Sequence, residues 1–172
     1  MELTQEYVRQ LFNYDPDTGS LTWKVRKGPR AMIGDEAGYT TNNGYRNIII
    51  DQKCYKAHRI CWLWIFGTWP KDQLDHINNK KSDNRLCNIR AATNSQNLCN
   101  RGKTKNNRSG YKGVWFHKHV GKYTGKIGYK GKHIHLGYFD TPEQAAIAYD
   151  IVGRILHGRF FRGNGTLPNA IV

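Results

Sequence analysis

Apolar positions in this chain come in short clusters whose spacing changes period several times, and polar, glycine-rich stretches separate them. Near the start, Thr4 is placed to cap a short helix carrying Val8, Leu11 and Phe12 at spacings of three and four. Asp15-Pro16-Asp17-Thr18-Gly19 reads as a tight turn. Strand-like pieces follow at 20–25 and 45–50, and Asp51-Gln52-Lys53 turns the chain into another at 54–56. Residues 60–66 form the longest apolar run, and 58–66 read as a buried helix stopped by Gly67 and sealed by Pro70. His58 heads that helix and reads as a hydrogen-bonded packing residue.

A polar loop over 78–88 separates a strand ending at Asp75-His76 from a short strand over 89–92. Thr93-Asn94-Ser95-Gln96 then has the form of a capping box, so a helix begins near Asn94 and Asn97 falls in its second turn. After a stretch with no apolar residue, 101–110, the pattern turns to three short strands: 111–116, 122–127 and 133–139. A second capping box, Thr141-Pro142-Glu143-Gln144, opens a helix with Ala145, Ala148, Tyr149, Val152, Ile155 and Leu156 at helical spacing, ended by Gly158. Tyr149 and Leu156 are assigned to the core. The fold class is α+β, in more than one module.

Composition adds a partner. Lys plus Arg number 27 against 13 Asp plus Glu, a formal net charge of +14 in 172 residues, which favours polyanions and above all nucleic acid. Five Trp, ten Tyr and six Phe supply core to modules that would otherwise be thin. No stretch is apolar for long enough to span a membrane, and the first residues lack the basic and apolar regions of a signal peptide. Cys54, Cys61, Cys87 and Cys99 form no Cys-x-x-Cys pair, which argues against a zinc ribbon and for free thiols in a reducing cytoplasm. The basic loop over 26–30 is either a phosphate contact or a solvated turn.

Candidate chemistry centres on Asp75 and His76. A histidine near its ordinary pKa can take a proton from water at neutral pH. One carboxylate and one amide carbonyl suffice as protein ligands for Mg²⁺, which keeps several waters. The predicted strand, loop, strand, helix order would bring Asn97 back toward Asp75 as the second oxygen ligand.

Asp75-His76-Ile77-Asn78, Asp83-Asn84-Arg85-Leu86-Cys87-Asn88-Ile89-Arg90 and Gln96-Asn97 resemble the HNH nuclease motif, in the variant of phage intron-associated homing endonucleases with Asn at the third position. The resemblance spans about 55–101. It implies a ββα-metal fold in which His76 is the general base, Asp75 and Asn97 hold one divalent ion, and Asn88 orders the loop so that His76 points correctly. Mg²⁺ is the expected ion, with Mn²⁺ able to replace it; zinc would want several His or Cys ligands.

The stretch 102–108 is expected to be a basic linker, with Arg101, Lys103, Lys105 and Arg108 tracking the DNA backbone. Beyond it, Tyr111-Lys112-Gly113-Val114 and the run from Leu136 to Asp150, with Leu156-His157-Gly158, resemble the apetala-type (ethylene-response-factor) DNA-binding domain over about 109–163. That resemblance implies a three-stranded antiparallel sheet, packed on one helix, that enters the major groove. Its contact positions carry Lys112, Trp115, His117 and Lys126 here, with Lys122 on the same sheet. Residues 1–54 precede the nuclease core and 164–172 form a tail. The expected protein is a site-recognising, homing-type DNA endonuclease of a phage, acting on double-stranded DNA in a bacterial cytoplasm and nicking as a monomer. The alternative is a sequence-specific DNA-binding regulator with an inactive HNH fold.

Overall fold

The computed structural model describes residues 3–29 and 31–167. Arg30 of the basic loop, the first two residues of the N-terminus and the end of the predicted tail lie outside them. The chain is α+β, and its contacts divide it into two compact units, Met1–Asn97 and Leu98–Val172. The stretch expected to be a linker therefore lies in the second unit. No helix among the described residues is long and apolar enough to cross a membrane.

In the first unit, helix α1 (Gln5–Leu11) is capped by the Thr4 side chain, which accepts from Tyr7 N. Phe12 ends that helix and begins β1 (Phe12–Tyr14), antiparallel to β2 (Leu21–Trp23). The spacing of Val8, Leu11 and Phe12 had suggested one helical side; a strand takes Phe12 instead and still buries its ring completely. Strands β3 (Tyr39–Thr40), β4 (Arg46–Ile50) and β5 (Lys53–Lys56) form a second antiparallel sheet. Its β4–β5 turn places Asp51 and Gln52 at positive φ. Helix α2 (Ala57–Phe66) ends on Gly67 at φ +74°, the left-handed stop that a Cβ would resist. One apolar cluster joins these elements: Val8, Phe12, Ile48, Ile50, Ile60 and Leu63 are almost wholly buried in it. Residues 1–54 thus share their core with the helix that leads into the nuclease motif. In the basic loop, Lys27 pairs with Asp51 at 3.5 Å.

Strand β6 (Gln73–His76) and β7 (Ile89–Ala92) pair antiparallel, with Asp75 opposite Arg90 and His76 opposite Ile89. Helix α3 (Asn94–Cys99) follows. Its capping box closes as expected: Gln96 N donates to Thr93 Oγ1 at 3.3 Å, and Thr93 N donates to Gln96 Oε1 at 2.8 Å.

The second unit contains β8 (Val114–His117), β9 (Lys122–Tyr129) and β10 (Lys132–Phe139), in the order β10-β9-β8, all antiparallel. Helix α4 (Pro142–His157) opens on the second capping box, with Thr141 and Gln144 bonded reciprocally, and lies on the sheet through Ala145 and Ala146 against Val114, Tyr123 and Phe139. Periodicity overstated the apolar face of this helix. Ile155 is 76 % exposed, and the buried side near the C-terminal half is Tyr149, Asp150 and Gly153. Gly153 is there because the Phe161 ring occupies the space a Cβ would need. Asp150, though 1 % exposed, accepts from Asn164 N and Nδ2 and from Thr166 N and Oγ1, so the buried carboxylate is fully hydrogen-bonded by the chain that follows the helix.

Candidate functional site

Adjacent strand residues face opposite ways, so the two residues at the end of β6 meet different surroundings. Asp75, 4 % exposed, faces Arg90: Nε and Nη2 of that arginine both donate to Asp75 Oδ2, at 2.9 and 2.7 Å. The pair is cross-strand and nearly dry, with 13 % of the arginine side chain exposed. The HNH resemblance gives Arg90 no role of its own.

His76, 5 % exposed, faces α2 and the loop that follows β6. Its Nε2 lies 3.2 Å from Asn84 Oδ1. An amide oxygen can only accept, so Nε2 carries the proton and the lone pair of the neutral ring is on Nδ1. On another side the His58 ring stands edge-on to it, with centroids 4.9 Å apart, and Tyr45 lies 6.0 Å away. Burial lowers the His76 pKa, against an opposing pull from the Asn84 hydrogen bond and the Asp75 charge. The ring is therefore neutral at pH 7. The His58 pKa is pushed down to about 3, first by burial and then by His76. His58 is not the hydrogen-bonded packing residue expected of it: it is 4 % exposed, and among the described residues its Nδ1 has no hydrogen-bond partner.

The loop between β6 and β7 is ordered by its own asparagines. Asn88, 5 % exposed, accepts from Asn78 N through Oδ1 at 2.9 Å and donates through Nδ2 to Asp83 O at 2.8 Å. It thereby ties both arms of the loop, while Asn84 supplies an amide that meets His76. Asn79 adopts φ +61° to close the turn onto His76 O. Asp83 binds Arg85 through both oxygens and also accepts from Asn78 Nδ2, which holds its carboxyl far below the usual range. Asn84 is anchored from the N-terminal segment as well: Tyr14 Oη donates to its carbonyl at 2.7 Å, and Leu86 N donates to Pro16 O. Gly19, at φ +76°, sits so close to the backbone of Asn84 and Arg85 that a Cβ would collide with it. Composition did not single out Asn84 among its neighbours; the turn at 15–19 gave no sign of what it would support.

On α3, Asn97 donates through Nδ2 to Gln73 Oε1 at 2.7 Å, and Gln73 Nε2 in turn donates to Asn94 Oδ1 at 3.3 Å. Gln73 and Asp75 lie on one side of β6, so the helix seats Asn97 by the side of the strand that bears Asp75. With Nδ2 committed to Gln73, the amide oxygen of Asn97 is the atom available to a cation. Among the described residues no group of three or more His, Cys, Asp or Glu side chains is placed to hold a metal ion. A site built from Asp75 and Asn97 would have one carboxylate and one amide oxygen, a hard donor set of the kind Mg²⁺ accepts when water fills the remaining positions.

In the second unit, register separates the expected DNA-binding residues. Trp115 stands opposite Thr124, His117 opposite Lys122, and Lys126 opposite His135, all on the sheet face away from α4. Trp115 is 40 % exposed there, not part of the core. Lys112 is elsewhere. Its Nζ donates to Cys99 O at 2.7 Å and Arg162 O at 3.1 Å and lies over the Phe161 ring, and burial pulls its pKa down to about 8. Those two carbonyls take the ammonium that had been expected on DNA. Arg101, Lys103, Lys105 and Arg108 are exposed, with Lys103 Nζ donating to Gly110 O. All four cysteines are free thiols, and Cys99 Sγ lies 3.2 Å from His157 Nδ1.

Comparison with known proteins adds the family. Residues 55–99 match the HNH endonuclease family, the stretch that holds α2, β6, β7 and α3. Over 111 residues the chain is 32 % identical to "Protein 3.8" of Escherichia phage T7, an alignment covering 64 % of this chain and 91 % of that protein. No solved structure matches. The chain thus belongs to one family with phage T7 Protein 3.8, and its residues 55–99 are an HNH endonuclease domain.

Proposed function

We propose that this protein is a site-recognising, homing-type DNA endonuclease that hydrolyses phosphodiester bonds, with His76 as general base and Asp75 and Asn97 as the protein ligands of one Mg²⁺ ion, replaceable by Mn²⁺. The observation that carries the reading is the His76 ring: buried, with burial lowering its pKa, and held through Nε2 by Asn84. A base in that state accepts a proton from water at neutral pH without first losing one. A divalent ion, when bound, supplies charge neutralisation at the phosphate and the departing oxygen. Asn88 acts by holding the loop on which Asn84 sits. The charge of +14 and the exposed cations of the second unit favour DNA as the polyanion.

The second unit serves target choice in this reading. The sheet face bearing Trp115, His117, Lys122 and Lys126, together with the basic stretch from Arg101 to Arg108, lies on double-stranded DNA in the manner of an apetala-type domain. One base and one metal cut one strand, so a monomer nicks.

A second reading has an observation of its own. Arg90 donates two bonds to Asp75 Oδ2, a guanidinium on the oxygen a metal would want, as in a DNA-binding regulator whose nuclease fold no longer cuts. Plasmid nicking separates the two. Wild type is expected to relax supercoiled plasmid with Mg²⁺ present and not without it, and His76→Ala to lose this by a factor of about 10²–10⁴. Equal behaviour of the two proteins leaves only the regulator.

A further inference from the structure

Along β8, an edge strand of the second unit, a cavity of about 390 Å³ opens between the sheet and residues 106–109. Trp115, Phe116 and Tyr123 line it, and Phe116 meets Tyr123 edge to face at 5.2 Å. Phe116 is 49 % exposed, so its ring is not spent on the core. The facing wall is fixed rather than loose. Asn107 Nδ2 donates to Tyr111 O at 2.8 Å, and Ser109 Oγ donates to Val114 O at 2.7 Å. Arg108 and Lys118 complete the rim; the lining holds no acidic residue, and among the described residues neither cation has an ion-pair partner.

We propose that this cavity holds one unpaired nucleotide of DNA, its base stacked on the Phe116 ring beside Tyr123 and its flanking phosphates met by Arg108 and Lys118. The proposal rests on the reading of the second unit as a DNA-binding module and adds what that reading lacks. A sheet in the major groove touches base edges only, because in a duplex each base face is covered by its neighbours. Rings set beside a cavity can be covered only by a base that has left the stack. The volume lies near the lower end of small-molecule sites, roughly 300–1,000 Å³, which suits a single nucleotide and excludes a duplex. The exposed Asn106 amide makes no hydrogen bond among the described residues, and it offers both a donor and an acceptor to the edge of such a base. The lining cations make an uncharged apolar ligand a poor alternative. A pocket for an unpaired base would let the protein prefer opened or distorted DNA.

The test uses the full chain in EDTA, so that nothing is cut, and two DNA duplexes: one fully paired, and one identical except for a single bulged 2-aminopurine. The bulged duplex is expected to bind about tenfold more tightly, with its 2-aminopurine emission quenched by stacking. Phe116→Ala and, independently, the loop variant Asn106→Ala should lose that preference, and Phe116→Ala, which lies off the sheet face assigned to paired DNA, should keep the affinity for it. Equal affinity for the two duplexes with unquenched emission overturns the proposal while the DNA-binding reading stands. Failure to bind either duplex at low salt overturns both. Retention of the full preference by Phe116→Ala also overturns it.

Discussion

His58 stands edge-on against His76, with ring centroids 4.9 Å apart and planes at 84°, and both rings are almost entirely buried. Two histidines in such contact cannot both be charged without repelling each other in a dry site, and burial already opposes charge on either.

Stability should therefore fall on mild acidification. Both rings have folded pKa values below the unfolded value of about 6.5. As pH drops below 6.5 the unfolded chain takes up protons that the folded chain refuses. The stability present near pH 7 is lost progressively, for His58 down to about pH 3. The slope for one such ring approaches about 1.4 kcal/mol per pH unit. Asp15 and Asp83, whose pKa values are lowered, contribute only below about pH 4, in a separate window. Urea denaturation between pH 7 and 4.5 reads the slope directly, and His58→Phe should flatten it. A wild-type profile that is flat over this range would show that the rings are not held neutral.

Asp75 and Arg90 give a prediction in which metal and protein compete. Arg90→Ala leaves a carboxylate buried with its main cation gone, which costs about 3–5 kcal/mol for a pair of this kind. Under the metal reading Mg²⁺ can replace the lost charge, so it should raise the thermal midpoint of Arg90→Ala more than that of wild type. Calorimetry at millimolar Mg²⁺ measures this without reference to cleavage. No extra stabilisation in the variant removes Asp75 as a ligand.

The sequence made the order of elements and both capping boxes readable, because those depend on local spacing: Thr93 with Gln96, and Thr141 with Gln144. It also made Asp75, His76 and Asn97 stand out, since a carboxylate, an imidazole and an amide in three separated blocks carry a recognisable pattern. What it could not show depends on contacts across many residues. Asn84 looked like any other asparagine of its loop until Tyr14 and His76 were seen to fix it from two sides. His58 looked like core because its neighbours are apolar, and nothing local says that the ring it meets is His76. Ile155 satisfied the helical period yet faces solvent, because the helix turns Gly153 and Asp150 toward the chain that follows it.

The two loop asparagines should separate on mutation. Asn88→Ala removes bonds to Asn78 N and Asp83 O, both part-buried, for a loss of about 0.5–1.5 kcal/mol in stability. Asn84→Ala removes the acceptor that fixes the proton on His76 Nε2. Cleavage should then drop about 10–100-fold, as when an outer partner of a site residue is lost. Nitrogen NMR of the imidazole is the readout, since a merely structural asparagine would leave the tautomer alone. An unchanged Nε2–H tautomer in Asn84→Ala argues against this residue as the one that orients the base.

Lys112 and Lys126 come from one sequence expectation and should part company in the tube. Lys126 is exposed on the open face of the sheet, free to meet phosphate, so Lys126→Ala should weaken DNA binding and lower the salt dependence of the association constant by about one counterion. Lys112 has its ammonium on Cys99 O and Arg162 O under the Phe161 ring. Lys112→Met keeps the stem and removes the donors, leaving two carbonyls short of a partner at a cost of about 1–3 kcal/mol. Its salt dependence should match that of wild type, because the charge it removes was never on the DNA. Titrations at several salt concentrations, alongside urea melts, give both numbers for each variant. If Lys112→Met lost a counterion and kept its stability, the ammonium would have to leave its two carbonyls for phosphate, and the position would return to the DNA face where the sequence alone had put it.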